Sequence, residues 1–293
     1  MWRKLLIFGR ERCLCGHRRI WHASVDEITE SAWLPLPVFV GFRVVISILC
    51  CVIWLYNVIS KGKFFIFYTN WSFTVATIYF IVSSVVSMMQ YLAKRKYPEK
   101  PGASKAVDVE MQPVNASPNL PRPDNEHQDA IGAHHMITWL LYNIAANMTL
   151  FLTIGYWTMI NDPDKNPNTF VGVFKHLFVA IFCVIDTFMS RIPVRIYHFV
   201  YTLIATAVYL IFTIIYWSVG GTDLHGNPYI YTVLDYDSMT TAEGFIVVFF
   251  FFIVIPVVQL FYFGLAKFRD WLIAKHEEKQ ITKIWSQKDE EEF

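Results

Sequence analysis

Six long apolar stretches decide what this chain can fold into. They run Val38–Ile59, Phe64–Leu92, Met136–Ile160, Phe170–Met189, Tyr197–Val219 and Phe245–Leu265. A helix rises about 1.5 Å per residue, so about 20 residues cross a hydrocarbon core about 30 Å thick. Every stretch meets that length, and few carry charge near the middle. A bilayer offers the backbone no hydrogen-bond partners, which leaves helices and closed barrels as the only spanning structures. The run FIVVFFFFIVIPVV lacks the alternation that a barrel strand needs. The expected fold is therefore all-α, an integral membrane bundle of six transmembrane helices. Composition agrees: 17% of residues are charged, against about 25% in soluble proteins.

A net charge of +1 hides a strong asymmetry. Arg3, Lys4, Arg10, Arg12, Arg18 and Arg19 precede the first span, and Lys94, Arg95, Lys96, Lys100 and Lys105 follow the second. Arg191 and Arg195 lie between the fourth and fifth, and Lys267, Arg269 and Lys275 follow the sixth. The opposite side carries Lys61, Lys63, Lys165 and His225. The positive-inside rule then puts both termini and the even connections in the cytosol. Plasma membrane and endomembrane both fit this topology.

Five segments follow. Residues 1–37 form a basic cytosolic N-terminal segment, 38–92 the first two spans, 93–134 a cytosolic loop, 135–268 the last four spans, and 269–293 a charged cytosolic tail. Residues 1–30 lack the apolar core and small-residue cleavage site of a signal peptide, so the first span is expected to act as an uncleaved anchor. The segment from Tyr97 to Ala133 is rich in Pro, Asn and charge and has no apolar periodicity. It buries too little surface to offset chain entropy and is expected to be disordered. Cys13 and Cys15 sit in a basic setting that permits palmitoylation or leaves two free thiols. Asn115-Ala116-Ser117 and Asn70-Trp71-Ser72 match the glycosylation pattern, but the first falls on the cytosolic side and the second inside a span. Neither is expected to carry sugar.

Polar side chains inside spans are costly and mark candidate sites. Thr69 lies about 8 Å into the second span and His176 about 9 Å into the fourth, which runs in the same direction. A hydroxyl beside an imidazole is the minimum for nucleophilic acyl chemistry. The other reading is a Thr bonded to its own helix and a His bonded within the bundle. Asn143 and Asn147 could supply oxyanion donors or a binding surface. With His135 and Trp139 they form one stripe on the third span, which can equally join it to its neighbours.

Asp186 ends the fourth span, and a buried carboxylate needs a partner. Arg191 or Arg195 offers one across the SRIPVR turn, the Asp186–Arg191 pair being the structural clamp. Arg195 and His198 alternatively form a site for a lipid headgroup or substrate carboxylate. No two His lie three or four apart within a span, so no metal site is expected. Nothing calls for a cofactor or a nucleic acid. The partner to expect is membrane lipid, or a lipid ester as substrate. No inverted repeat appears, and only Pro256 interrupts the sixth span, so a transporter comes last.

The runs DTFMSRIPVRIYHFVY, GGTDLHGNPYIYTVLDY, FYTNWSF and HHMITWLLYNIA resemble the rolling stone family of membrane proteins. The similarity covers about residues 35–92 and 134–268, and the GNPYIY loop is its most specific part. That resemblance implies a cell-surface role in cell contact or myoblast-type fusion. More distantly, the pattern is similar to the androgen-induced membrane hydrolases, which cleave fatty acid esters of hydroxy fatty acids with an intramembrane Thr and a His. Tyr68-Thr69-Asn70 stands where they have Leu-Thr-Phe. Of their His-x-x-His run, whose second His is catalytic, this chain keeps His176 and has Val179 second. Hydrolysis here would require His176 to act as the base.

Overall fold

The computed structural model describes residues 24–60, 62–97, 131–161 and 169–291. The basic stretch with Cys13 and Cys15, and most of the second connection with Asn115, lie outside the described residues. A short helix α1 (Val25–Thr29) opens the described chain. Ser24 accepts from the Glu27 backbone N–H while the Glu27 carboxylate accepts from Ser24, a reciprocal cap. Six helices long and apolar enough to cross a membrane follow: α2 (Leu36–Ser60), α3 (Tyr68–Lys96), α4 (Ala133–Thr158), α5 (Phe170–Met189), α6 (Ile196–Ser218) and α7 (Thr241–Glu291). No strand occurs among the described residues, although Ser31 and Ser190 form an isolated bridge.

Helices α3 and α4 form the centre. More than half of the most apolar 18 residues of each is buried, against 28% in α2 and 17% in α7. The division follows from side-chain chemistry: α3 and α4 carry the Ser, Thr, Asn and Tyr that need protein partners, and the outer helices carry Ile, Val and Phe. On α6, Ile204, Val208, Ile211 and Ile215 recur at helical spacing and are all more than half exposed. An apolar stripe of this extent is tolerable only against lipid tails. The protein core inside it is aromatic, with Phe73, Tyr79, Phe80, Tyr142 and Tyr209 buried together.

Helix α7 continues through Glu291, well past the apolar run that ends at Leu265. The charged tail expected over 269–293 continues the last helix as far as Glu291. The other end of α7 is capped by Thr240. Its hydroxyl accepts from the Glu243 N–H at 3.3 Å and its own N–H donates to the Glu243 carboxylate at 2.7 Å.

The connection between α6 and α7 is ordered by its own bonds. Helix α6 ends with Gly220 at φ 75°, where the Gly221 N–H reaches Tyr216 O at 2.8 Å and the Gly220 N–H reaches Trp217 O at 2.9 Å. A Cβ on Gly221 would stand 2.4 Å from the Tyr216 ring, so the second glycine is a steric requirement. Asp223 then accepts from the backbone N–H of His225 at 2.7 Å and of Asn227 at 2.8 Å. Across the gap, the Lys63 ammonium donates to Thr222 O at 2.7 Å, Thr222 Oγ1 at 2.8 Å and Asp223 O at 3.1 Å.

Desolvation works against the Asp223 carboxylate, but the Asn227 amide and the two backbone donors outweigh it and hold its pKa below the usual Asp range. A depressed carboxyl contributes stability that is full above the ordinary value of about 3.9 and is lost as pH falls through the lowered one. Asp223→Ala should therefore speed exchange of the His225 and Asn227 amides at neutral pH. With about 1.5 kcal/mol for a bond to a charged group, the factor is about tenfold. Exchange unchanged from wild type would show that these bonds do not order the loop.

Candidate functional site

Three clusters of buried polar groups stand out among the described residues. At the end of the bundle that carries the basic connections, Asp186 is fully buried and accepts from Arg43 Nε at 2.9 Å and Nη2 at 3.2 Å. The Tyr79 hydroxyl donates to the same carboxylate. Arg43 Nη1 spends its remaining capacity on Ser87 Oγ at 2.8 Å and Ile28 O at 3.1 Å. This corrects the expected clamp: the partner of Asp186 is Arg43 of α2, and Arg191 is solvent-exposed beyond the end of α5. The reason is depth. Arg191 lies past the helix end, outside the buried layer that Asp186 occupies, whereas Arg43 faces that layer from the neighbouring helix. A guanidinium inside an apolar span demands a carboxylate as strongly as the carboxylate demands it.

The second cluster is the stripe on α4. His198 Nδ1 and Asn143 Oδ1 are 3.0 Å apart, and the Trp139 ring stands edge-on to His198 at 4.3 Å. Asn147 Nδ2 donates to Gln259 Oε1 at 2.6 Å, and Gln259 Nε2 donates to Arg195 O at 2.7 Å. Trp139 Nε1 closes on Pro193 O at 3.0 Å. These contacts tie α4 to α6, α7 and the α5–α6 turn. Asn143, Asn147 and His198 are thereby engaged as interhelical links, and Arg195 is half-buried beside them.

The third cluster surrounds Thr69 at the opposite end. Thr69 is buried and lines a cavity of about 480 Å³ between the start of α3, the end of α4, the α6–α7 loop and the start of α7. That volume lies in the range of small-molecule sites, about 300–1,000 Å³. Its floor is apolar, from Phe151, Leu152, Ile246, Val247, Phe250 and Phe251. The α6–α7 loop supplies the roof, from Tyr231 to Asp235 together with Ser238 and Met239. Tyr231 is fixed there because its hydroxyl accepts from the Tyr68 N–H at 3.0 Å and lies within bonding reach of Thr69. Burial raises the pKa of this phenol, so it stays protonated.

His176 is reached through Tyr156, a lining residue of the same cavity. The two rings stack 3.6 Å apart at 9°. Both sit in wide turns, where Asn161 N bonds back to Tyr156 O and Val179 N to Phe174 O, each five residues away. Wide turns of this kind within helices are frequent at functional sites, since they re-aim a side chain without ending the helix. Beside them Asn70 donates to Phe64 O at 2.7 Å and accepts from Lys175 Nζ at 3.0 Å. Thr69 and Tyr156 line the same cavity, and His176 stands behind Tyr156. The tyrosines of this corner escaped sequence reasoning because aromatic residues are ordinary in spans. The tyrosine-rich GNPYIYTVLDY loop was the available signal.

The sequence model of a family described as Rost, Protein rolling stone, matches residues 118–288, more than half of the chain. Protein rolling stone of Drosophila melanogaster is 26% identical over 268 residues, covering 89% of this chain and 86% of that protein. No solved structure matches significantly. The match takes in α4 to α7, and with them the loop that roofs the cavity, and the chain belongs to the rolling stone family.

Proposed function

We propose that this protein works at a membrane surface in cell contact or fusion, and that it does so by holding a lipid chain in the cavity around Thr69. Family membership supports the surface role. One observation carries the lipid reading: a cavity with an apolar floor and a few convergent hydroxyls, placed at the end of a bundle whose outer helices face lipid. Two cell populations bearing complementary halves of a split reporter test the contact role. Expression of the protein should raise mixed-cell signal over cells lacking it, and no rise would overturn that role.

A second reading is favoured by the position of Thr69 on the cavity wall. A lipid ester seated there would place its carbonyl near the hydroxyl. Thr69 Oγ would attack the carbonyl carbon, its proton would pass by way of a bridging water to His176 behind Tyr156 and return to the departing alcohol, and a second water would release the acid. Adding a fluorophosphonate probe to native membranes tests this. Under hydrolysis the wild type is labelled and Thr69→Ala loses about a hundredfold or more of the signal, the scale of a missing nucleophile. Labelling that survives Thr69→Ala would remove Thr69 as the nucleophile.

A further inference from the structure

The charged residues of the cavity wall point to the head group of its ligand. Asp235 and Glu243 line the mouth, and among the described residues no Lys, Arg or His lines the cavity. The described lysines of this end are committed elsewhere, Lys63 to Thr222 and Asp223 and Lys175 to Asn70. Both carboxylates are held in place locally. Asp235 accepts from Ser238 Oγ at 2.7 Å and from the Asp237 N–H at 3.2 Å, and Glu243 from Thr240. A carboxylate has about four acceptor sites, so each retains capacity for another donor. Four tyrosines, Tyr68, Tyr156, Tyr209 and Tyr231, complete the upper wall.

Resting on the lipid-cavity reading, we propose that the site selects an amphiphile with a cationic head, a long-chain amine or quaternary ammonium, and turns away free fatty-acid carboxylates. The physical grounds are direct. Two negative charges at the solvent-facing mouth of an apolar cavity repel a third and attract a cation. Tyrosine faces add the attraction of an aromatic quadrupole for ammonium. The apolar floor accepts the chain whatever the head. A substrate bearing a free carboxylate, such as a fatty acid ester of a hydroxy fatty acid, is therefore the wrong charge for this cavity.

The test uses the full chain in phosphatidylcholine nanodiscs and three clickable diazirine probes of equal chain length: a primary amine, a methyl ester and a fatty acid. At mildly alkaline pH the acid is ionised and the amine is still charged. The amine should label at least about tenfold more strongly than the acid, with the crosslink mapping to cavity residues. Asp235→Asn with Glu243→Gln should bring the two within about threefold, and Gln keeps the Thr240 cap intact. Gly155 lines the cavity with open space where a Cβ would go, so Gly155→Phe should fill it and cut labelling by every probe. Equal labelling by amine and acid, still blocked by Gly155→Phe, would overturn the head-group selection and leave the lipid cavity standing. Labelling indifferent to Gly155→Phe, or no labelling at all, would overturn both.

Discussion

Arg43→Ala should destabilise the bundle by about 3–5 kcal/mol, because it leaves a carboxylate buried without its cation. Asp186 is completely enclosed, and Arg43 supplies two of its bonds while Tyr79 supplies a third. The same guanidinium reaches Ser87 on α3 and Ile28 O on α1, so its loss also loosens two other elements. Asp186→Asn is the informative control. It removes the charge, keeps a hydrogen-bonding side chain, and strands Arg43 instead, with a cost of similar size. Joint replacement by apolar residues of similar volume should cost less than either single change, since a buried pair contributes little net stability while half a pair is expensive. Unfolding in mixed detergent micelles, followed by tryptophan fluorescence, measures all three. Additive losses in the double variant would show that the two side chains are not coupled.

The helices were legible because bilayer thickness sets a length that composition alone can meet. All six spans appear where apolar runs reach about 20 residues. Their ends were less legible, since hydropathy reports where lipid stops and says nothing about where a helix stops. Beyond Leu265 the sequence RDWLIAKHEEKQITKIW is polar yet made mostly of good helix formers, and α7 runs on. Asp186 was readable as a residue in need of a partner, but the partner lies 143 residues away in sequence. Nearness along the chain favoured Arg191, and only packing could reveal Arg43. A stricter use of the cost of intramembrane charge would have singled out Arg43 in the run VFVGFRVVISIL.

The corner around Thr69 was half legible. Thr69 and His176 were chosen by depth; Thr69 lies on the cavity wall, and His176 stacks on Tyr156, another residue of that wall. The aromatic side chains between and around them could not be assigned from one sequence, because a Tyr in a span reads the same whether it packs, anchors or lines a cavity. On α4 the spacing of Trp139, Asn143 and Asn147 was correctly read as one face. Which helices that face would meet is a property of the bundle, and the α6 and α7 partners His198 and Gln259 emerge only there.

Arg269→Ala should release α7 from the end of α5 and cost about 3 kcal/mol, two bonds from a charged donor at about 1.5 kcal/mol each. Arg269 is 2% exposed, and its Nη1 donates to Thr187 O at 2.9 Å and Ser190 O at 2.6 Å. The last carbonyls of a helix have no partners within it and carry the negative end of its dipole, so a buried cation there is doubly favourable. Other donors reach the same end from the N-terminal side. The Ala32 N–H and Ser31 Oγ bond to Met189 O at 2.8 and 2.7 Å, and Trp33 Nε1 bonds to Phe188 O at 2.9 Å. Helix α5 is therefore held by both the start and the last helix of the described chain. Arg269→Lys should recover less than half of the loss, because one ammonium cannot reproduce the guanidinium fork. The charged extension past residue 269 should then become the first part of α7 cut by limited proteolysis. An Arg269→Ala protein that unfolds with wild-type stability and resists the protease equally would show that α7 is held by its lipid-facing span alone.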